Sequence, residues 1–288
     1  MPFRYAAFSV MMPEFTIAES AALLKSLGYE GVEWRVHHVP KSDLAKTGFW
    51  SDNKSTIDLE TILDQANEVR RISQENNLEI VCLGAYLGYK HLEEIKRCMK
   101  AAKQMGCPCV RVSPPKYDGS INYHDLYEDA VDGFNRVEDL ARTYRVRAVI
   151  ELHRGNICSS ASLAYKFVSN FDPDYVGVIL DPGNMICEGY ENWQLGLEML
   201  GPYLSHVHVK NTGVAKGDSL NGSWTWYTVS APLNEGLVYW PEVLRALDAV
   251  GFGGWLSVED FSAGETKAKL CKDIDYLKSI SLAVPRLV

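Results

Sequence analysis

The chain has 288 residues, 47% of them hydrophobic and 23% charged, with 37 acidic against 29 basic side chains and a net charge of −8. That is ordinary globular composition, and the acidic balance argues against a nucleic-acid partner, whose phosphates are held by Lys and Arg. No stretch approaches the ~18 apolar residues of a membrane span, and the first fifteen residues lack the apolar run of a signal peptide. The seven cysteines, an odd number, include no Cys-x-x-Cys pair, so they indicate neither a zinc ribbon nor a thioredoxin motif, and a reducing, cytoplasmic setting is expected.

Strand and helix patterns then alternate along the chain. Residues 4–10 read as a first strand and 17–27 as a helix. A second strand at 31–35 precedes helical spacing over 57–76, where Ile62, Ala66, Val69 and Ile72 recur at three- and four-residue steps. Further strands are expected at 79–83, 109–113, 148–152, 176–180, 204–209 and 255–259, with helices at 93–105, 127–144, 161–170 and 240–250. The strands are short and rich in Val, Ile and Leu on both faces, as parallel strands covered by helices are. Eight such units in one chain are the count of a (β/α)8 barrel. Gly251-Phe252-Gly253-Gly254 precedes a strand instead of following one, so it is no phosphate loop of a doubly wound sheet. Two segments, 36–56 and 211–236, are too long for connectors. Each follows a strand and so lies on the catalytic face of a barrel. The second carries Trp224, Trp226 and Tyr227, which suits either a lid over substrate or a packed loop at a subunit contact.

Polar side chains stand where four consecutive strands end. They are Glu151 in Val149-Ile150-Glu151-Leu152-His153, Asp181 after Val178-Ile179-Leu180, His208 in His206-Val207-His208-Val209-Lys210, and Glu259 after Leu256-Ser257-Val258. Carboxylates crowded at one barrel mouth repel each other unless a cation sits among them. A single carboxylate after an apolar strand is often a helix cap, and Asp181-Pro182-Gly183 also reads as a turn, but the four together read as one divalent-metal shell. Oxygen and imidazole donors without a thiolate favour Mn2+, Mg2+ or Co2+, with Zn2+ also accommodated.

Alternation turns His206, His208 and Lys210 to the same side, the barrel interior, with His206 a deeper core histidine. His153, one step beyond Glu151, touches substrate, orients a ligand or belongs to the loop surface. Lys210 stabilises a developing enolate oxygen, binds an anionic group or is a solvated rim lysine. Asn184 contacts substrate or closes the turn. Arg111, inside the fourth strand, needs an interior partner. Glu33 and Arg35 end the second strand. The expected substrate contacts are His153, Lys210, Asn184, Arg111, Glu33 and Trp226.

The motifs Gly28-Tyr29-Glu30-Gly31-Val32-Glu33, Glu151-Leu152-His153, Asp181-Pro182-Gly183-Asn184, His208-Val209-Lys210-Asn211, Pro232-Leu233-Asn234-Glu235-Gly236 and Gly251-Phe252-Gly253-Gly254-Trp255 occur in that order. Together they resemble the xylose isomerase-like (β/α)8 superfamily of sugar phosphate isomerases and epimerases, over nearly the whole chain. The resemblance implies a single TIM-barrel domain spanning 1–288 and a bound Mn2+ or similar ion. It also implies proton transfer by Glu151 and Glu259, and a homo-oligomer, dimer or tetramer. Dehydratases of the superfamily use a similar shell, and the Glu151/His153 and His208/Lys210 patterns resemble its dehydroshikimate dehydratase. Ketose 3-epimerases often carry His where Asn184 stands and lack the Lys at 210. Endonuclease IV, with its trinuclear zinc site, needs more histidines than this chain supplies.

The expected activity is that of a divalent-metal-dependent sugar isomerase or epimerase, moving a proton next to a carbonyl through a metal-bound enediolate. The alternative is a metal-dependent lyase or dehydratase of a keto-sugar, inosose or dehydroshikimate-like substrate. The third is a non-catalytic sugar-binding barrel or one subunit of a hetero-oligomeric enzyme.

Overall fold

The computed structural model describes residues 3–39 and 46–283; residues 40–45 of the long segment after the second strand lie outside them. In chain order the elements are β1 (Arg4–Phe8), α1 (Ile17–Leu27), β2 (Gly31–His37), β3 (Ile57–Asp58), α2 (Ile62–Glu75), β4 (Glu79–Gly88), α3 (Leu92–Met105), β5 (Cys109–Ser113), α4 (Tyr123–Tyr144), β6 (Arg147–Glu151) and α5 (Ala161–Val168). Then come β7 (Val176–Leu180), α6 (Pro182–Cys187), α7 (Trp193–Leu200), β8 (Leu204–Val209), β9 (Asn211–Leu220), β10 (Ser223–Ala231), α8 (Trp240–Ala249), β11 (Trp255–Val258) and α9 (Thr266–Ala283).

Eight strands, β1-β2-β4-β5-β6-β7-β8-β11, pair in parallel, and β1 pairs with both β2 and β11, so the sheet closes on itself. The molecule is a (β/α)8 TIM barrel. Burial explains the uniform apolar strands: β7 is buried at every position and β6 at all but its first. Outward residues pack under the helices in one large core, while Ala6, Val81, Cys82, Cys109, Val149 and Ile179 fill the barrel axis. This inner plug forces the next layer of inward side chains up toward the open end. No described helix is long and apolar enough to cross a membrane.

Local chemistry sets the ends of the elements. Thr16 and Glu19 form a reciprocal capping box on α1, and Gly28, at φ 81°, terminates it in the left-handed conformation. Two sequence readings are corrected. Ile57–Asp58 is not helix but a short strand beside the end of β2, and the Asp58 carboxylate accepts from the Glu60 N–H to turn the chain before α2. Segment 211–236 is no irregular loop, because β9 and β10 form an antiparallel hairpin over most of its length. Its turn is Asn221-Gly222, with φ of 52° and 80°, the positive pair that a two-residue hairpin turn requires.

One glycine ties the fold to the open end of the barrel. A Cβ on Gly84 of β4 would overlap the Phe8 ring and come 3.2 Å from Glu33 Oε1. Phe8 in turn stacks on His208 at a centroid distance of 5.7 Å. Gly84→Ala is therefore expected to cost about 1–3 kcal/mol through overpacking, read as a lower midpoint in urea unfolding. A variant as stable as the parent would show that Phe8 has room to move.

Candidate metal centre and substrate cavity

Glu151 ends β6, Asp181 follows β7, His208 lies near the end of β8 and Glu259 follows β11. One ligand atom from each falls within 4.8 Å of the other three, and all four residues are buried. His208 Nδ1 lies 3.2 Å from Glu151 Oε1, 3.6 Å from Glu259 Oε2 and 3.7 Å from Asp181 Oδ2. Lys210 Nζ stands among the same carboxylates, 2.7 Å from Asp181 Oδ2, 2.8 Å from Glu259 Oε2 and 3.7 Å from Glu151 Oε1. The cluster thus already gathers a cation from within the chain. Three carboxylates and one imidazole, with no thiolate, are donors that fit a divalent ion.

The carboxylates differ in their surroundings. Burial works to raise the Glu151 carboxyl, but Arg111, then His208 and Lys210, outweigh it and hold the group well below the usual carboxylate range. Arg111 Nη1 donates to Glu151 Oε2 at 2.6 Å, and its guanidinium lies 4.3 Å from the centre of the Tyr86 ring. At Glu259, burial prevails over Lys210 and His208 and moves the carboxyl up. Asp181 serves twice: Oδ1 accepts from the Asn184 N–H and caps α6, while Oδ2 faces Lys210. The turn reading and the ligand reading of Asp181 are therefore compatible. Asn184 Nδ2 donates to Asp181 Oδ2 at 2.8 Å and to Glu151 Oε1 at 3.2 Å, holding two of the carboxylates in one orientation.

Glu33 does not line the cavity as a substrate contact would. It lies fully buried beneath His208, and its Oε2 accepts from His208 Nε2 at 3.0 Å and from Ser257 Oγ at 3.0 Å. His206 Nε2 lies 3.4 Å from the same oxygen but makes no hydrogen bond to it. Nδ1 is left as the atom His208 offers to the cluster, since a carboxylate on one ring nitrogen fixes the role of the other. Glu33, Cys82 and His206 form a second close group, where burial, with Glu33 adding to it, pushes the Cys82 thiol well up.

Above the cluster opens a cavity of about 820 Å3, lined by Glu151, Asn184, Lys210, Glu259 and Arg111 at its floor. His153 is at the exposed rim, its Nδ1 donating to the Arg154 carbonyl at 2.7 Å. Trp226 does not line the cavity; the hairpin contributes Thr228, Val229 and Ser230 instead, and Trp226 is 64% exposed further along β10. Trp50, Tyr86 and Phe261 also line it. Tyr86 was hidden from sequence reading because β4 runs five residues beyond the segment 79–83 expected from its apolar run.

A model of the family described as xylose isomerase-like TIM barrel matches residues 21–280. An inosose dehydratase of Geobacillus thermodenitrificans is 24% identical over 246 residues, covering 76% of this chain and 80% of that protein. Among solved structures, the apo form of 3-keto-D-glucoside 4-epimerase from E. coli superposes with a TM-score of 0.73 at 15% identity, covering 96% of this chain and 99% of that one. The IOLI protein with a bound zinc atom gives 0.74 at 17% identity, covering 99% and 100%.

The Glu33–His208 contact yields a direct test. Glu33→Ala, which leaves His208 Nε2 without its acceptor, is expected to weaken binding of an added divalent ion about 10–100-fold, the range for loss of a partner behind a metal-bound histidine. Titration calorimetry on metal-stripped protein measures it. An unchanged affinity would mean that His208 needs no partner to present Nδ1.

Proposed function

The chain belongs to the xylose isomerase-like TIM barrel family, and on that premise we propose that it is an enzyme acting on a sugar-like carbonyl compound. It moves a proton at the carbon beside the carbonyl and so interconverts isomers or epimers. The supporting observation is that Glu151 and Glu259 share one buried cluster with Asp181 and His208 and also line the floor of the cavity. A divalent ion, Mn2+ in this reading, held by those four residues would polarise the carbonyl and make the neighbouring C–H more acidic.

The chain's own residues supply the rest. Glu151 and Glu259 come from strands three places apart around the barrel, so a substrate carbon between them meets a carboxylate on either side. One removes the proton and the other returns it to a different face or a neighbouring carbon. Arg111 keeps Glu151 ionised and anchored. Lys210 supplies positive charge where an enediolate oxygen would develop. The free cysteines fit a reducing cytoplasm.

A second reading is elimination. The same proton removal followed by loss of a β-hydroxyl would make the chain a dehydratase. Two observations favour this reading: the similarity to an inosose dehydratase, and an ammonium, Lys210, 2.8 Å from Glu259, where a departing hydroxyl needs a proton.

Incubation of Mn2+-loaded protein with ketoses and keto-inositols in deuterated buffer tests both readings. Proton NMR is expected to show deuterium entering beside the carbonyl with no fragment lost; an ultraviolet-absorbing enone would identify elimination. Glu151→Gln and Glu259→Gln should each slow the exchange by about 10²–10⁴-fold. Turnover at the parent rate in both variants would remove them as the proton-transfer pair.

A further inference from the structure

The cavity is larger and more one-sided than a free monosaccharide requires. Its volume of about 820 Å3 lies in the upper part of the ~300–1,000 Å3 span of clefts that enclose drug-sized ligands. A single sugar ring on the carboxylate cluster would leave most of it empty. One wall is polar, built from Lys116, His153, Arg154 and Thr228. The other is aromatic. Trp50 lies 5.2 Å from the centre of Phe261 and 6.0 Å from that of Tyr86, forming an arc of three rings.

The arc begins at the reacting groups. Phe261 is two residues beyond Glu259, and its ring centre is 5.8 Å from Lys210 Nζ. At the other end, Tyr86 stacks on Arg111, the partner of Glu151. A group lying along the arc would therefore have its attached sugar over the carboxylates. Trp50, at the centre, is 61% exposed, and the residues just after it are tied to the barrel. Asn53 Nδ2 donates to the Val10 carbonyl at 2.8 Å, and the Lys54 N–H donates to the Pro13 carbonyl at 3.0 Å. Phe49, beside Trp50 in the chain, packs against Phe261 at 5.2 Å. An indole exposed to a catalytic cavity and flanked by two further rings is a platform for a flat apolar partner.

We propose that Trp50, Tyr86 and Phe261 form a subsite for a flat apolar group joined to the sugar, so that the substrate is a keto-sugar glycoside, with the carbonyl on its sugar ring and an aromatic or similarly planar aglycone. The proposal rests on the reading of the cavity floor as the sugar-handling centre and adds the substrate class. A planar aglycone stacks on Trp50 while its sugar ring reaches the cluster, and the polar wall opposite faces the hydroxyls.

The experiment compares binding of 4-nitrophenyl β-D-glucopyranoside and methyl β-D-glucopyranoside to Mn2+-loaded protein by titration calorimetry. The two share a sugar and differ only in the group the subsite would take. The aryl glucoside is expected to bind about tenfold more tightly, the scale of one good aromatic stack. Trp50→Ala should bring the ratio of affinities toward one, and Trp50→Phe should restore part of it, which separates stacking from a general disturbance of the loop. Equal affinities in the parent, no binding of the aryl glucoside, or a ratio unaffected by Trp50→Ala would each overturn the proposal. Deuterium exchange into a free ketose reports on the carboxylates alone. Loss of aryl preference with exchange intact would therefore overturn the subsite and leave the proposed reaction standing.

Discussion

The open end of this barrel is governed by the cost of burying negative charge. Glu33, Glu151, Asp181 and Glu259 are each no more than 7% exposed, and in such a setting a carboxylate without a partner is expensive. Each has a positive or hydrogen-donating neighbour: Arg111 for Glu151, Lys210 for Asp181 and Glu259, and His208 and Ser257 for Glu33. His208 is the pivot, with one ring nitrogen toward Glu33 below and the other toward the three carboxylates above. Opposing effects act on it: burial would discharge the ring, and Glu33, Glu259 and the other acids outweigh burial and hold its pKa well above that of a free histidine. The cluster calls for positive charge from whatever source, and a dication among these donors meets the same demand as the ammonium of Lys210.

That demand reaches down into the packing. The axis of the barrel is plugged by small apolar residues, so the polar layer rests on an apolar floor. Gly84 leaves room for Phe8, Phe8 supports the face of His208, and Glu33 fixes the ring's edge. Three strands, β1, β2 and β4, that contribute none of the four clustered ligands thus determine how the histidine is presented. The division of labour comes from barrel geometry, in which inward side chains stack in layers and every layer is the foundation of the next.

The sequence made the barrel legible because eight apolar β-strand runs recur along the chain with helical periods between most of them, and it marked the cluster because polar residues end four successive runs. Inward-facing Glu33 was equally visible, but its depth was not: a residue two places before the end of a strand shows its face in the alternation and not its layer. The hairpin of β9 and β10 carried a turn signal in Asn221-Gly222, yet its strands mix Gly, Lys, Asp and Ser with aromatics, because the hairpin stands out from the core and no apolar run marks it. Tyr86 and Trp50 escaped for a similar reason. Tyr86 follows the apolar run that marked the strand and Trp50 lies in a loop, and the arc they form with Phe261 exists only after three distant segments have met.

Removing a proton beside a carbonyl is the shared opening step of isomerisation, epimerisation and dehydration. In the proposed reaction the groups that would perform it, Glu151 and Glu259, sit at strand ends that the fold itself brings together. The later course of the reaction depends on the contents of the outer cavity: whether a leaving group is aligned with the C–H bond, whether a cation such as Lys210 stands where that group departs, and whether the far face of the carbon is open to a second carboxylate. Those features belong to loops, here the Trp50 loop and the β9–β10 hairpin, which can change length and composition without disturbing the barrel. On the proposed reading, the strand ends would constrain the chemistry of the first step, while the walls above them would select the substrate and decide how the resulting carbanion partitions.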